Sequence, residues 1–395
     1  MILLIIVGFL TFKYYNSYST NEYQPIIPKI IHNNGKGFAG SETCASCHPE
    51  IFRSHLETTH FKSSGLADST TVKGNITFDN DFILNDEIRF SMVSKDKGIH
   101  QNTFLRPIDS LIESKRLDIA IGSGTKGQSY FNWQDNQLYQ LQVSYFEADG
   151  SWVNSPGYPN GVYAPNRPVR ARCLECHFTY AENKLTFNKP NIYDKSNLIF
   201  GIDCERCHGP SLDHVNYHKK NPNENTGQDI VSLSKASQRQ NLYMCALCHS
   251  GTDLEFGKSP FEFVTGDTLT HSTGKENQRL SIQDSLDVHG NQYGLLLSSP
   301  CFKRSAAMNC TSCHNPHKNQ RNDIEWFKSK CIQCHQNANN TIDCSFSMEK
   351  RNLGGNNCVS CHMPLIPSKT MSVFNQEDSL VVPVYIRTHL IGIYD

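Results

Sequence analysis

CERCHGPSLDHVNYH, residues 204–218, is the stretch on which the fold turns. It opens with a Cys-x-x-Cys-His pentad, Cys204, Cys207 and His208, and then carries two further histidines, His214 and His218. The pentad sets two thiols one helical turn apart, with an imidazole directly beside the second. The i, i+4 spacing of His214 and His218 puts both rings on one face of a helix, where they can serve two neighbouring sites.

The pentad is not isolated. Six more copies read CASCH (Cys44, Cys47, His48), CLECH (Cys173, Cys176, His177), CALCH (Cys245, Cys248, His249), CTSCH (Cys310, Cys313, His314), CIQCH (Cys331, Cys334, His335) and CVSCH (Cys358, Cys361, His362). Together they take fourteen of the 16 cysteines. Random order at this composition would give about 0.03 copies, so the repeat is a design and reads as c-type haem attachment. Two thioether bonds join the sulfurs to the vinyl groups of one porphyrin, and the adjacent histidine becomes the proximal iron ligand. Paired CxxC units can also build zinc sites, but zinc does not require a histidine after every second cysteine. A disulfide framework would not impose this repeat either. The expected cofactors are seven covalently attached haem c groups with their iron.

Composition agrees. Of 395 residues, 38% are hydrophobic and 19% charged. That is little apolar material for a chain this long, as expected if porphyrin fills much of the core. Yet 21 Phe and 16 Tyr exclude gross disorder. The balance of 37 basic against 38 acidic residues argues against a nucleic-acid partner. The expected fold is mainly α with much irregular coil, organised around a multihaem core, with a small β-rich insert between the first and second motifs. EIRFSMV (87–93) and QLYQLQVSYF (137–146) alternate with period two in that insert, and Gly122, Gly124 and Gly127 read as turns.

Ten histidines lie outside the pentads. Bis-histidine coordination of every iron would use seven of them. Local context favours His60, His214, His218, His289, His317 and His389 as distal ligands. His317, three residues after His314, is too close to reach over its own haem and should serve an adjacent one. The seventh ligand would come from His55, His271, His100 or His32, with Met244, Met308 or Met363 as thioether alternatives. A six-coordinate iron passes electrons; a five-coordinate iron can also bind a substrate. Arg170, Arg172 and Arg206 read as propionate partners, or as attractors of an oxyanion at an open iron. The two spare cysteines, Cys301 and Cys344, are expected to pair in an oxidising compartment.

The chain divides into an export signal or N-terminal anchor (1–20), a linker (21–40), a first haem segment (41–69), the β-rich insert (70–165) and a six-haem region (166–395). The apolar run ILLIIVGFLTF at 2–12 has the length of a signal core and could also anchor the protein to a membrane. Covalent haem attachment takes place outside the bacterial cytoplasm, so a periplasmic or cell-envelope location is expected.

The runs GSETCASCHPEIF, CERCHGPSLDHV, CTSCHNPH and CVSCHMP resemble the multihaem cytochrome c superfamily. That group includes the tetrahaem cytochrome of nitrifying bacteria, the pentahaem nitrite reductases and the octahaem hydroxylamine-oxidising enzymes. The segments IGSGTKGQSYF, QLQVSYF and WVNSPGY look like those of cell-envelope members. The resemblance implies that His214 and His317 are distal ligands. All seven motifs end in His and none in Lys, a departure from the lysine-held catalytic haem of the nitrite reductases. The expectation is therefore an electron carrier with redox partner proteins. The alternative is an oxidoreductase of a small inorganic nitrogen or sulfur compound that uses one five-coordinate haem. Seven ferric bis-histidine haems would move the net charge from −1 to about −8 and favour partners with basic faces.

Overall fold

The computed structural model describes residues 25, 27–77, 81–96, 98–184, 189–251, 259–267, 286–335, 357–375 and 380–394. The N-terminal apolar run, His271 and Cys344 lie outside the described residues, and with them the expected anchor and the Cys301–Cys344 bridge.

The first motif follows a loop and starts in α1 (Ser41–Ala45), continued by α2 (Pro49–Leu56). A β-rich stretch comes next: β1 (Ser64–Leu66), β2 (Phe82–Ile83), β3 (Ile88–Lys95), β4 (Gly98–Leu105), β5 (Ser110–Arg116), β6 (Ile119–Ile121), β7 (Gly127–Gln134), β8 (Gln137–Gln140), β9 (Val143–Phe146), β10 (Ser151–Asn154) and β11 (Arg167–Pro168). The second motif rides on α3 (Ala171–His177), which runs straight into the hairpin β12 (Phe178–Asn183) and β13 (Tyr193–Phe200). The third lies on α4 (Cys204–His208), followed by α5 (Leu212–Lys220), and the fourth ends α6 (Gln238–His249). Two short helices, α7 (Gln292–Ser298) and α8 (Pro300–Lys303), precede the fifth motif, which sits in a 3₁₀ turn over Cys310–Ser312. The sixth ends α9 (Ile324–His335) and the seventh is α10 (Cys358–His362). The hairpin β14 (Leu365–Asn375) and β15 (Leu380–Arg387) closes the fold.

The expectation of a mainly helical chain is overturned: helix and strand each account for 29% of residues. Two antiparallel sheets lie between the first two motifs. One is four-stranded, in the order β2-β3-β4-β5. The other is seven-stranded, in the order β1-β6-β7-β8-β11, with β9 pairing β7 and β10. Two further hairpins lie beyond the second motif. The physical reason is that haem motifs need only one helical turn each. The polypeptide between them is free to satisfy its backbone in strands. Gly122 and Gly124 do turn, with φ of 97° and 81°. Gly127 instead begins β7, where a Cβ would come 2.8 Å from the Tyr145 carbonyl.

The period-two pattern has a consequence for the motifs. Tyr130 and Ala120 point into one core, with Phe90, Met92, Leu117, Val143 and Trp152. Their neighbours Ile119, Ile121 and Phe131 point to the other face, into a second core with Leu174, Phe178, Tyr193 and Phe38. The seven-stranded sheet is thus buried on both sides, and the second core contains Leu174 of the CLECH motif, which is fully buried. A rigid β scaffold therefore fixes the position of the second motif. Replacing Trp152 with alanine should cost about 3–5 kcal/mol through the cavity left behind. A lowered unfolding midpoint with weakened near-UV circular dichroism would register it. An unchanged midpoint would mean that the two sheets do not depend on this core.

Gly201 makes the junction between scaffold and third motif. Its φ is +68°, and a Cβ there would meet the Phe61 carbonyl oxygen. Around it Gly201 N–H donates to Ser64 Oγ at 2.9 Å, and Ile202 N–H donates to the His60 carbonyl at 2.8 Å. Only glycine permits so close a crossing.

Candidate functional site: a histidine-lined cavity

Side chains do not fill the space between the motifs. A single cavity of about 4350 Å³ runs through the molecule, and the cysteines and histidine of all seven motifs line it. Shared among seven motifs this is about 620 Å³ each, within the roughly 300–1,000 Å³ of an ordinary small-molecule site. Ten lysines and arginines line the wall against four aspartates and glutamates, in a chain with almost equal totals. The wall therefore suits occupants that carry negative charge.

Seven histidines outside the motifs also line the cavity: His55, His60, His214, His218, His289, His317 and His389. The six favoured from sequence are all present, and His55 joins them. His32 and His100 do not. His32 is buried and its Nε2 lies 2.6 Å from the Phe261 carbonyl, and His100 is on β4.

Three of these histidines face a motif histidine at a revealing distance. Ring centroids lie 6.2 Å apart for His60 and His249, 6.2 Å for His317 and His208, and 6.0 Å for His389 and His314. An imidazole nitrogen binds a first-row metal at about 2.0–2.1 Å. Two such bonds in line, plus the half-width of each ring, span about 6 Å. Each pair is therefore spaced to hold one metal between two imidazoles. His317 faces the third motif rather than its own, as the sequence reasoning required. His289 lies in the electrostatic neighbourhood of His177, and His214 in that of His208.

The rings are also prepared chemically. A carbonyl oxygen can only accept, so a ring nitrogen beside one carries the proton and the other keeps its lone pair. Nδ1 donates in this way from His177 to Ser63 O (3.1 Å), from His214 to Gln228 O (2.7 Å) and from His362 to Gly392 O (2.7 Å), leaving Nε2 as the ligand. His55 differs: its Nε2 lies 3.1 Å from the Ile202 carbonyl, so that nitrogen is committed to the backbone. Burial pushes His60 down to about 4, helped by the neighbouring His249. Burial, with His314 beside it, does the same for His389, also to about 4. Burial likewise lowers His177, His208, His289, His314 and His317. These rings are held neutral, the form that binds a metal. The buried Nε2 of His218 has no hydrogen-bond partner among the described residues. The residues present therefore fit haem c.

Several side chains inside the motifs do structural work that the sequence did not reveal. Glu205, in the CERCH motif, accepts from Ala39 N (2.8 Å), Gly40 N (2.9 Å), Ser211 N (2.9 Å) and Ser211 Oγ (2.7 Å). It ties the first motif to the third. Arg206 donates to Pro260 O at 2.9 Å and Glu175 O at 3.1 Å, and Arg172 donates to Leu247 O at 2.8 Å and Gly251 O at 2.9 Å. These two arginines bind main-chain carbonyls in this structure. Burial raises Glu175, against a hydrogen bond from Ser259. A signal was present: a charged residue between two tethering cysteines is held close to the wall wherever the chain places that wall.

Residues 160–209, spanning the second and third motifs, match the profile of the family described as cytochrome c554 and c-prime. The chain is similar to multihaem c-type cytochromes. One curated relative is the multiheme cytochrome MtrA of Shewanella baltica, 24% identical over 217 residues, which are 52% of this chain and 55% of that protein. The chain thus spans about half the length of the curated relative it matches. Among solved structures, the outer cell wall cytochrome OcwA superposes with a TM-score of 0.56 at 17% identity, over 90% of this chain and 79% of that one. An undecaheme cytochrome from the S-layer of Carboxydothermus ferrireducens gives 0.42 at 16% identity, over 89% of this chain and 53% of that one. The first likeness supports a multihaem cytochrome fold. No helix among the described residues is long and apolar enough to cross a membrane.

Proposed function

We propose that the protein is a heptahaem c-type cytochrome that carries electrons through closely packed haems outside the cytoplasm. The carrying observation is that all seven motifs line one cavity in which histidines from elsewhere in the chain face motif histidines across 6.0–6.2 Å. Cys44 and Cys47, Cys173 and Cys176, Cys204 and Cys207, Cys245 and Cys248, Cys310 and Cys313, Cys331 and Cys334, and Cys358 and Cys361 would tether the porphyrins. His48, His177, His208, His249, His314, His335 and His362 would be proximal ligands. Distal ligation pairs His60 with His249, His317 with His208 and His389 with His314 by distance. His289 lies beside His177 and His214 beside His48, and we pair them on that proximity.

Haem supplies the iron that cycles between ferric and ferrous; the protein sets its potential through ligand, burial and hydrogen bonding. This chain's residues hold imidazole nitrogens in place, fix their protons with backbone carbonyls and line the wall with positive charge. Rigid preorganisation of that kind lowers the structural change that accompanies electron gain or loss. The relatives' names, a multiheme cytochrome and an outer cell wall cytochrome, agree with exported electron transfer and with protein redox partners.

Intact mass together with resonance Raman spectroscopy tests this. Seven covalent haems are expected, low-spin at the five paired sites in both redox states. A colourless product would overturn the reading. A high-spin fraction that binds nitrite or hydroxylamine would favour the oxidoreductase.

A further inference from the structure

Contacts between motifs do not follow their order along the chain. The first motif touches the third: Glu205 holds Ala39 and Gly40, and the Cys44 and Cys204 thiols lie side by side. The third touches the second through Arg206 and the Glu175 carbonyl. The fifth touches the sixth, because Trp326 on α9 donates its Nε1–H to the Cys313 carbonyl at 2.8 Å. The sixth touches the seventh through Cys331 and Cys358.

The fourth motif has neighbours on both sides of the chain order. Its Cys248 lies beside Cys176 of the second motif and donates to the Glu175 carbonyl at 3.7 Å, while Arg172 clasps the Leu247 carbonyl. Cys245 lies beside Cys310 of the fifth motif, and Cys310 packs against the cluster of Leu242, Ala246 and Tyr293. Toward the third motif, Thr265 Oγ1 bridges the Cys207 carbonyl and Met244 Sδ of α6.

We infer that the fourth motif, Cys245–His249, is the junction of the electron path, joining a cluster of the first three motifs to a string of the last three. With haem bound at each motif, each transfer would move one electron, one iron being oxidised to ferric as its neighbour is reduced to ferrous. The inference rests on the haem reading above. The thiols would anchor the porphyrin edges, so motifs whose thiols lie side by side would bring their haems close together. A longer bypass exists, because His317 brings the segment after the fifth motif onto the third. Losing the junction should therefore slow passage rather than abolish it.

The test is two-dimensional NMR exchange spectroscopy on the partially reduced holoprotein, following haem methyl resonances. In the double variant Cys245→Ala/Cys248→Ala, intact mass should show six haems. Exchange between the set of motifs one to three and the set five to seven should slow at least tenfold. Cys358→Ala/Cys361→Ala, at the far end of the string, should also cost one haem but slow exchange between motifs one to three and motifs five and six far less. Undiminished exchange in the first variant, or equal slowing in the second, overturns the junction. If the first variant does not fold, His60→Met keeps the tether and raises one potential. The midpoints of haems two, three and five should then shift more than those of one, six and seven; the opposite order overturns the inference. A wild-type protein without covalent haem would overturn the underlying reading instead.

Discussion

Replacing His60 with alanine should turn about one seventh of the haem from low-spin to high-spin and open one iron to exogenous ligands. His60 follows α2 and is held by structure on both sides: its carbonyl accepts from Ile202 N at 2.8 Å, and its ring faces His249 across 6.2 Å. His55, the cavity histidine nearest to it in sequence, has its Nε2 committed to the Ile202 carbonyl. Cyanide or carbon monoxide should bind the variant in a single-site titration and leave the parent's paired sites unchanged. His389→Ala should behave likewise at the fifth motif. His100→Ala, on β4 and away from the cavity wall, is the control and should leave the spectrum untouched. A His60→Ala spectrum identical to the parent's would sink the pairing of His60 with His249.

The second large effect belongs to Glu205. Its carboxylate is 5% exposed and accepts four hydrogen bonds from the first-motif loop and from Ser211. Alanine would leave those buried donors without a partner, at a cost of about 3–5 kcal/mol. The unfolding midpoint should fall by roughly 5–10 °C. Glutamine keeps the volume and one accepting oxygen, and should recover about half of the loss. The first haem should also be the one disturbed, seen as loss of magnetic coupling between the first and third irons in electron paramagnetic resonance. A stability change with that coupling intact would make Glu205 a general core residue rather than a tie between motifs.

Much of the site could be read from the residues. The pentads could be singled out because haem attachment would demand that the cysteines and the histidine be adjacent in sequence. His214 and His218 lie on α5 as their spacing requires, and His317 is presented to the third motif because its distance from His314 left no other use. His55 could not be ranked, since its place in the cavity depends on the Ile202 backbone, far away in the chain. The two late hairpins were hidden for another reason. Pro367 and Pro383 stand inside β14 and β15, and proline ordinarily argues against a strand. A two-stranded hairpin is all edge, so an absent N–H there can face away from the partner strand and costs little. The strand that begins at Phe178 was masked by the motif it follows, whose helical turn ends at His177.

The pairing of His389 with His314 has a bearing on timing. The last described residues of the chain complete a site in its middle, and His60, near the start, completes another much later in sequence. A site completed by His389 stays unfinished until nearly the whole described chain has been made. Biogenesis should therefore pass through a stage in which the fifth motif's haem would be attached but half-liganded, open to stray small molecules until His389 has been made. Shortening the chain by a handful of residues would prolong that stage indefinitely at one position.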